Sequence, residues 1–130
     1  MTKELSRTQV DILKAAELLS EQGWCRGVEK DERSRHCIFG AVRETVDPDE
    51  VMLWTTPEYT RMMVATHVIA NAISDTPHWE CLREMLQKLG CPPTSANIIA
   101  HWNDMFCRSR RQAVELMQRA AAREEARGAS

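Results

Sequence analysis

Signals that start α-helices recur along the whole chain, and they constrain its fold more than any other feature. Asp or Thr followed closely by Pro occurs three times, and Ser-x-x-Gln, a capping-box spacing, occurs twice. Pro fits the first turn of a helix, while the small polar residue before it accepts from the free N–H groups. These signals lie at 47–49, 56–58, 75–77, 6–9 and 109–112. No clean alternation of polar and apolar residues competes with them, so the sequence predicts an all-α fold.

Apolar residues at helical spacing follow these signals. The longest run, from Thr56 to about Ser74, carries a wide apolar stripe and is predicted to be the central core helix. A short helix is predicted from Asp47 to about Trp54, and Ser95 is predicted to cap a further short helix. Gly40 falls inside a predicted helix, where we expect close packing to explain a glycine. Residues 26–35 are polar and predict an exposed loop. We expect one compact all-α domain over residues 1–130, a bundle of five to six helices with frayed ends at 1–5 and 123–130.

Charge and cysteine content narrow the class of protein. A formal net charge of −2 does not suit a protein that coats nucleic acid. The five cysteines are odd in number and form no Cys-x-x-Cys pair, so we expect reduced thiols and a cytoplasmic location. We find no signal peptide, and the longest apolar stretch is far shorter than the roughly 18–20 residues of a membrane span. We therefore expect no membrane partner.

Cys37 is the first candidate for chemistry. It follows His36 at the predicted start of a helix, where the helix dipole lowers the pKa of a thiol. A cysteine enzyme also needs a base and an orienting group, which His101, with Asn103 and Asp104, could supply from another helix. The alternative, which we favour, is that Cys37 is a buried core residue.

Trp102, Asn103 and Asp104 form the second candidate. They fall at a predicted helix end, where Asn tolerates the left-handed conformation and Asp104 can bond turn amides or pair with Arg108. The functional alternative is a polar corner that grips a ligand or a partner.

Metal and nucleic-acid sites receive less support. Cysteines and histidines do not form the tight pairs of a zinc site, so we predict no metal and no cofactor. The last helix is rich in Arg and follows a short helix and a turn, as in a helix-turn-helix. Nucleic-acid contact through this helix stays open as an alternative, although acidic residues interrupt its basic face.

Several short motifs occur in an order that resembles a known family. They are Gly23-Trp24, Cys37-Ile38-Phe39-Gly40-Ala41, Trp102-Asn103-Asp104 and Arg108-Ser109-x-x-Gln112. The chain resembles the small bacterial and phage family catalogued as domain of unknown function 6197, although Cys107 and Gln112 depart from its usual Gly and Glu. The resemblance implies that Trp24, Cys37, Gly40, Trp102, Asn103, Asp104 and Arg108 share one neighbourhood. It implies no activity.

The function we expect is that of a non-enzymatic protein-binding or regulatory module. The resemblance favours a phage or mobile-element origin, and with it a role in blocking a host protein. Candidate contact surfaces are the 26–35 loop, the acids Asp47, Asp49 and Glu50, and the bases Arg108, Arg110 and Arg111. The main alternative is an enzyme or small-ligand binder that uses Cys37. A homodimer is a further open possibility.

Overall fold

A computed structural model describes residues 4–48 and 56–128 of the chain. These residues form six α-helices: α1 (Arg7–Gln22), α2 (Ile38–Val46), α3 (Pro57–Ile73), α4 (Trp79–Lys88), α5 (Ser95–His101) and α6 (Arg110–Gly128). A π-helical segment, Trp102–Phe106, continues α5. The described residues contain no strand, only isolated bridges, so the all-α prediction is confirmed. The short helix predicted from Asp47 to about Trp54 falls mainly on 49–55, outside the described residues.

Local capping explains where α1 and α3 begin. The Ser6 hydroxyl accepts from the Gln9 N–H at 3.1 Å, and the Gln9 side chain accepts from the Ser6 N–H at 2.8 Å. This is the predicted capping box, and α1 ends at Gly23, whose φ of 105° suits glycine. At α3 the Thr56 hydroxyl accepts from the Tyr59 N–H, and Pro57 occupies the first turn.

Two predicted helix starts shift in the structure. Thr94, not Ser95, caps α5, since its hydroxyl accepts from the Asn97 N–H at 3.2 Å. The Asp75-Thr76-Pro77 signal does not start α4 directly. The Thr76 hydroxyl donates to the Ile73 carbonyl at 2.7 Å and so closes the end of α3, while α4 begins after His78 without a side-chain cap.

The core forms around α3, which packs against α1, α2, α5 and α6. The prediction that this is the central helix is confirmed. Ile69 and Ile73 of α3 are fully buried. A polar link crosses the same interface: the carboxylate of Asp11, 1% exposed, accepts from the Arg61 guanidinium at 2.7 and 3.2 Å. Because both oxygens of Asp11 are bonded, this buried acid is a structural tie between α1 and α3.

The helical conformation of α6 continues to Gly128, beyond position 123, from which we expect fraying. That expectation, like the one for residues 1–5, stays a prediction. No helix within residues 4–48 and 56–128 combines the length and the apolar composition that a membrane crossing needs.

Candidate functional site

The π-helical segment places Asn103 in the interior. The Cys107 N–H bonds to the Trp102 carbonyl at 2.9 Å, five residues back, so the helix widens by one residue here. We expected the helix to end at Asn103 in a left-handed conformation, and this was wrong. Among the non-glycine residues that the structure describes, only Ser34 has a positive φ. The reason is tertiary: the Asn103 side chain is fully buried and must meet polar groups from elsewhere in the chain.

Asn103 is the hub of a buried hydrogen-bond network. Its Oδ1 accepts from Trp24 Nε1 at 2.7 Å and from the Ile38 N–H at 3.1 Å. Its Nδ2 donates to the Cys25 carbonyl at 3.1 Å and to Asp104 Oδ1 at 3.0 Å. The amide thus uses its donors and acceptors fully, which is the condition for burying it at low cost. One side chain joins the π-helical segment, the start of α2 and the chain after α1.

Asp104 and Arg26 extend this network to the base of the 26–35 loop. Asp104 Oδ1 accepts from the Gly27 N–H at 3.0 Å. The Arg26 guanidinium lies 5.1 Å from the Trp24 ring centre and donates to the Cys107 carbonyl. Of the two roles expected for Asp104, bonding backbone amides or pairing with Arg108, the structure shows the first kind, although the amide belongs to Gly27 in the loop. The loop is therefore fastened to the π-helical segment through both a carboxylate and a cation.

Asp31 organises the loop itself. Its Oδ1 accepts from the backbone N–H groups of Arg33 and Arg35 at 3.0 and 2.9 Å, and its Oδ2 accepts from Arg35 Nε at 2.6 Å. Burial would raise the pKa of this carboxyl, but the backbone and side-chain bonds from Arg35 outweigh it and lower the pKa. Asp31 was not among the predicted site residues, although an Asp that starts a polar turn is a recognisable signal for side-chain-to-backbone bonding.

Gly40 allows α2 to approach the loop. A Cβ built at this position would lie 2.0 Å from the backbone oxygen of Glu29, a distance no real Cβ adopts. The same Glu29 oxygen accepts from the Cys37 N–H at 3.2 Å. We expected close packing to explain the glycine, and the Glu29 carbonyl is the group against which it packs. The helix start and the loop backbone are consequently in direct contact.

Cys37 is the N-cap of α2, and its thiol is protonated at neutral pH. Its Sγ accepts from the Gly40 N–H at 3.2 Å. The reading that we favoured, a buried core residue, holds only in part, because Cys37 is half-buried and lines a cavity. The alternative, a thiol whose pKa the helix start lowers, was wrong. Burial raises the pKa of Cys37 to about 11, and the bond from the Gly40 N–H offsets only part of this effect. A thiol with such a pKa is a poor nucleophile, because the thiolate is the reactive form.

The expected partners of Cys37 meet only in part. Cys37, Asn103 and Asp104 line one cavity of about 130 Å³, so three members of the predicted group are neighbours. His101 is not among the residues that line it, and its Nδ1 lies 2.9 Å from the Asn97 carbonyl within its own helix. Trp24 bonds to Asn103, and the Gly40 N–H donates to Cys37, as the resemblance implied. Trp102 lines a different cavity, and the Arg108 N–H donates to Gln112.

The predicted surface acids and bases have different outcomes. Asp47 lies at the end of α2 and is only 5% exposed, so its side chain is not a surface acid. Asp49 and Glu50 lie outside the described residues. Arg108, Arg110 and Arg111 are exposed, as expected of contact residues. Two of them have internal partners: Arg110 donates to the Ser20 carbonyl, and Arg111 pairs with Glu115 at 3.0 Å.

His36 is buried, although the sequence predicted no role for its side chain. It is 1% exposed, and neither ring nitrogen has a hydrogen-bond partner in the described structure. Burial lowers its pKa, so the imidazole is neutral at neutral pH. Its backbone closes the loop, since its N–H donates to the Gly23 carbonyl and its carbonyl accepts from the Cys25 N–H. Within the described ranges, no three His, Cys, Asp or Glu side chains gather as metal ligands would.

Comparison with known sequences assigns the chain to a family. The sequence model of a family of unknown function, DUF6197, matches residues 6–123. The chain belongs to this family. The matched region includes every residue of the Asn103 network. No curated protein and no solved structure matches the chain significantly.

Proposed function

We propose that this DUF6197 domain is a non-enzymatic protein-binding module and that its contact surface is the 26–35 loop. The carrying observation is that exposed side chains stand on a loop whose backbone is bonded to Asp104 at Gly27 and to the Cys37 N–H at Glu29. The loop begins next to Cys25, whose carbonyl accepts from Asn103. A loop already held in one conformation loses little entropy when it binds, so more of its contact energy becomes affinity. Loops positioned by a rigid scaffold are common sites of recognition.

The chemistry of the loop surface supports a protein partner. Val28 is 52% exposed and offers an apolar contact. Lys30, Glu32 and Arg33 are exposed and form no ion pair within the described part of the chain. These side chains line an open depression of about 410 Å³, with Asp31 and Arg35 beside them. One apolar side chain among charges of both signs suits a protein surface of mixed charge better than a phosphate backbone, which basic side chains bind.

The alternatives receive less support. The raised pKa of Cys37 and the separate bonding of His101 count against a cysteine enzyme. The carboxylate of Glu115 offsets the charge of Arg111, which reduces the positive charge that nucleic-acid contact through α6 would use. Arg110 keeps its charge but donates to the Ser20 carbonyl.

The proposal also covers the cellular location of the protein and the kind of partner it binds. All five cysteines, Cys25, Cys37, Cys81, Cys91 and Cys107, are free thiols, which fits a reducing cytoplasm. We infer a phage or mobile-element origin and a host protein as partner, whose surface the loop would cover. A second copy of the chain is the alternative partner.

Charge reversal on the loop tests this proposal. The variant is Lys30→Glu with Arg33→Glu, and the matched control is Lys14→Glu with Lys88→Glu, which makes the same charge change on exposed positions of α1 and α4. Each protein serves as bait for a lysate of candidate host cells. We expect a protein that wild type and control retain and the loop variant loses. Equal retention by all three baits would contradict the proposal, as would the absence of any retained protein. Light scattering of the wild type separates a homodimer from a heterologous partner.

A further inference from the structure

The imidazole of His36 is buried where the 26–35 loop meets α2. It lines a small cavity of about 30 Å³ to which both the loop and α2 contribute. Neither ring nitrogen is accessible to solvent, and neither has a hydrogen-bond partner among the described residues. Buried polar groups are nearly always bonded, so two unpartnered nitrogens on one ring are unusual. A neutral imidazole is tolerated in such a place, whereas an imidazolium, with its charge and two N–H donors, is not.

Contacts of Glu29 hold the loop on α2 beside this ring. The Glu29 carboxylate accepts from Arg43 Nη1 at 3.0 and 2.8 Å. The Glu29 carbonyl accepts from the Cys37 N–H and lies against Gly40, where a side chain would leave it no room. Glu29 and Arg43 both line the cavity beside His36. Moving the backbone at Glu29 away from α2 would break these contacts and open the cavity beside the ring to water.

The charged groups that face the ring offset one another. They come from the loop and from α2, and they are Glu29, Lys30, Asp31, Arg43 and Glu44. Glu29 is paired with Arg43. Asp31 is paired with Arg35. The chain after α1, which bonds to the backbone of His36, adds the thiol of Cys25, whose pKa burial raises. Burial is the main cause of the lowered pKa of His36, which Glu44 opposes and Lys30 reinforces.

We propose that His36 is a pH-dependent switch that opens the 26–35 loop in acid. When the loop leaves α2, the ring reaches water and takes up one proton, and the charged ring then opposes closure. If only the open form is protonated, with the ordinary histidine pKa of about 6.5, the ratio of open to closed loop rises about tenfold between pH 7.5 and pH 5.5. Acid would then release a partner that binds the closed loop, a consequence that rests on the function proposed above.

Amide hydrogen exchange of the whole chain at pH 7.5 and pH 5.5 tests this switch, with each rate divided by that of an unstructured chain at the same pH. In wild type, protection of the Cys37 N–H, which donates to Glu29, should fall about three- to tenfold at pH 5.5, while the amides of α1 keep theirs. His36→Leu should keep the protection of Cys37 at both pH values, because leucine fills the buried place and takes up no proton. His67→Leu, the matched control at an exposed histidine, should behave like wild type.

If His36→Leu does not fold, an NMR titration of the His36 ring in wild type replaces it. The ring should still be mostly neutral at pH 6.5, where a solvent-exposed histidine is about half protonated, and should gain its proton as the Cys37 amide loses protection. Unchanged protection of Cys37 at pH 5.5, an equal loss in α1, or an equal loss in His36→Leu would overturn the proposal.

The partner supplies a separate readout. A protein that the loop captures at pH 7.5 should leave wild type at pH 5.5 and stay on His36→Leu, and its retention by wild type would contradict the release by acid. If the loop captures no protein, the proposed function fails, but amide exchange still decides whether acid opens the loop.

Discussion

Replacing Asn103 with Ala should remove much of the stability of the domain. The substitution takes away four hydrogen bonds at a fully buried position. Two backbone groups lose their partner in the interior: the N–H of Ile38 and the carbonyl of Cys25. Trp24 Nε1 loses its acceptor as well, although this side chain is only half-buried.

The magnitude follows from these orphaned groups. Each buried unsatisfied group costs about 1–3 kcal/mol, and a bond to a half-buried group contributes about 1 kcal/mol. Taking about 1.5 kcal/mol for each backbone group and about 1 kcal/mol for the indole gives a loss of about 4 kcal/mol. A domain of this size has about 5–15 kcal/mol in total. Asn103→Asp should cost at least as much, since a carboxylate would face the acceptor oxygens of Cys25 and Asp104.

Urea unfolding followed by circular dichroism measures this loss. With a slope of about 2 kcal/mol per molar urea, the midpoint should fall by roughly 2 M. Asn97→Ala is the matched control, because Asn97 makes one exposed side-chain bond, to the Pro92 carbonyl. Its cost should stay below about 1 kcal/mol. If the two variants unfold at the same urea concentration, the hub role of Asn103 is refuted.

Three further predictions concern the surroundings of this network. Gly40→Ala should lower the free energy of unfolding in urea by about 2 kcal/mol or more, because the new methyl group would overlap the Glu29 carbonyl. An unchanged free energy of unfolding would show that the loop backbone moves aside at no cost. Cys37 should react with iodoacetamide at pH 8 about a hundredfold more slowly than exposed Cys81, and equal alkylation rates would contradict this. The raised pKa of Cys37 should also make the free energy of unfolding fall between pH 9 and about 11 in wild type but not in Cys37→Ser. The lowered pKa of His36 gives stability that is present above about pH 6.5 and lost as the pH falls. The difference in Tm between pH 7.5 and pH 5.5 should therefore be smaller in His36→Leu than in wild type. An unchanged difference would exclude His36 as the cause.

The sequence predicted those features of the fold that depend on neighbouring residues. Ser6 with Gln9, Thr56 with Pro57, and Gly23 act within one helical turn, so their roles were predictable. Thr94 and Ser95 are adjacent and chemically equivalent caps, and only the packed structure selects between them.

The site was less predictable, because its bonds cross long stretches of chain. The partners of Asn103 at Trp24, Cys25 and Ile38 are 65 to 79 residues away in sequence, and no local pattern reveals them. The motifs nevertheless indicated the right neighbourhood. The position of Cys37 at a helix start was predicted from neighbouring residues. The pKa of its thiol was not, because it depends on burial by parts of the chain that are distant in sequence.

The most direct test of the central claim is amide hydrogen exchange at the N–H groups that tie the 26–35 loop to the rest of the domain, since the claim is that these contacts hold the loop in one conformation. In wild type, the N–H groups of Gly27 and Cys37 should exchange at least about tenfold more slowly than in an unstructured chain, an opening free energy of about 1.4 kcal/mol or more. In Asp104→Ala, the Gly27 amide should lose this protection, while the amides of α1 keep theirs. Unprotected amides at Gly27 and Cys37 in the wild type would contradict the account, because the loop would then lack the fixed conformation on which the proposed binding depends.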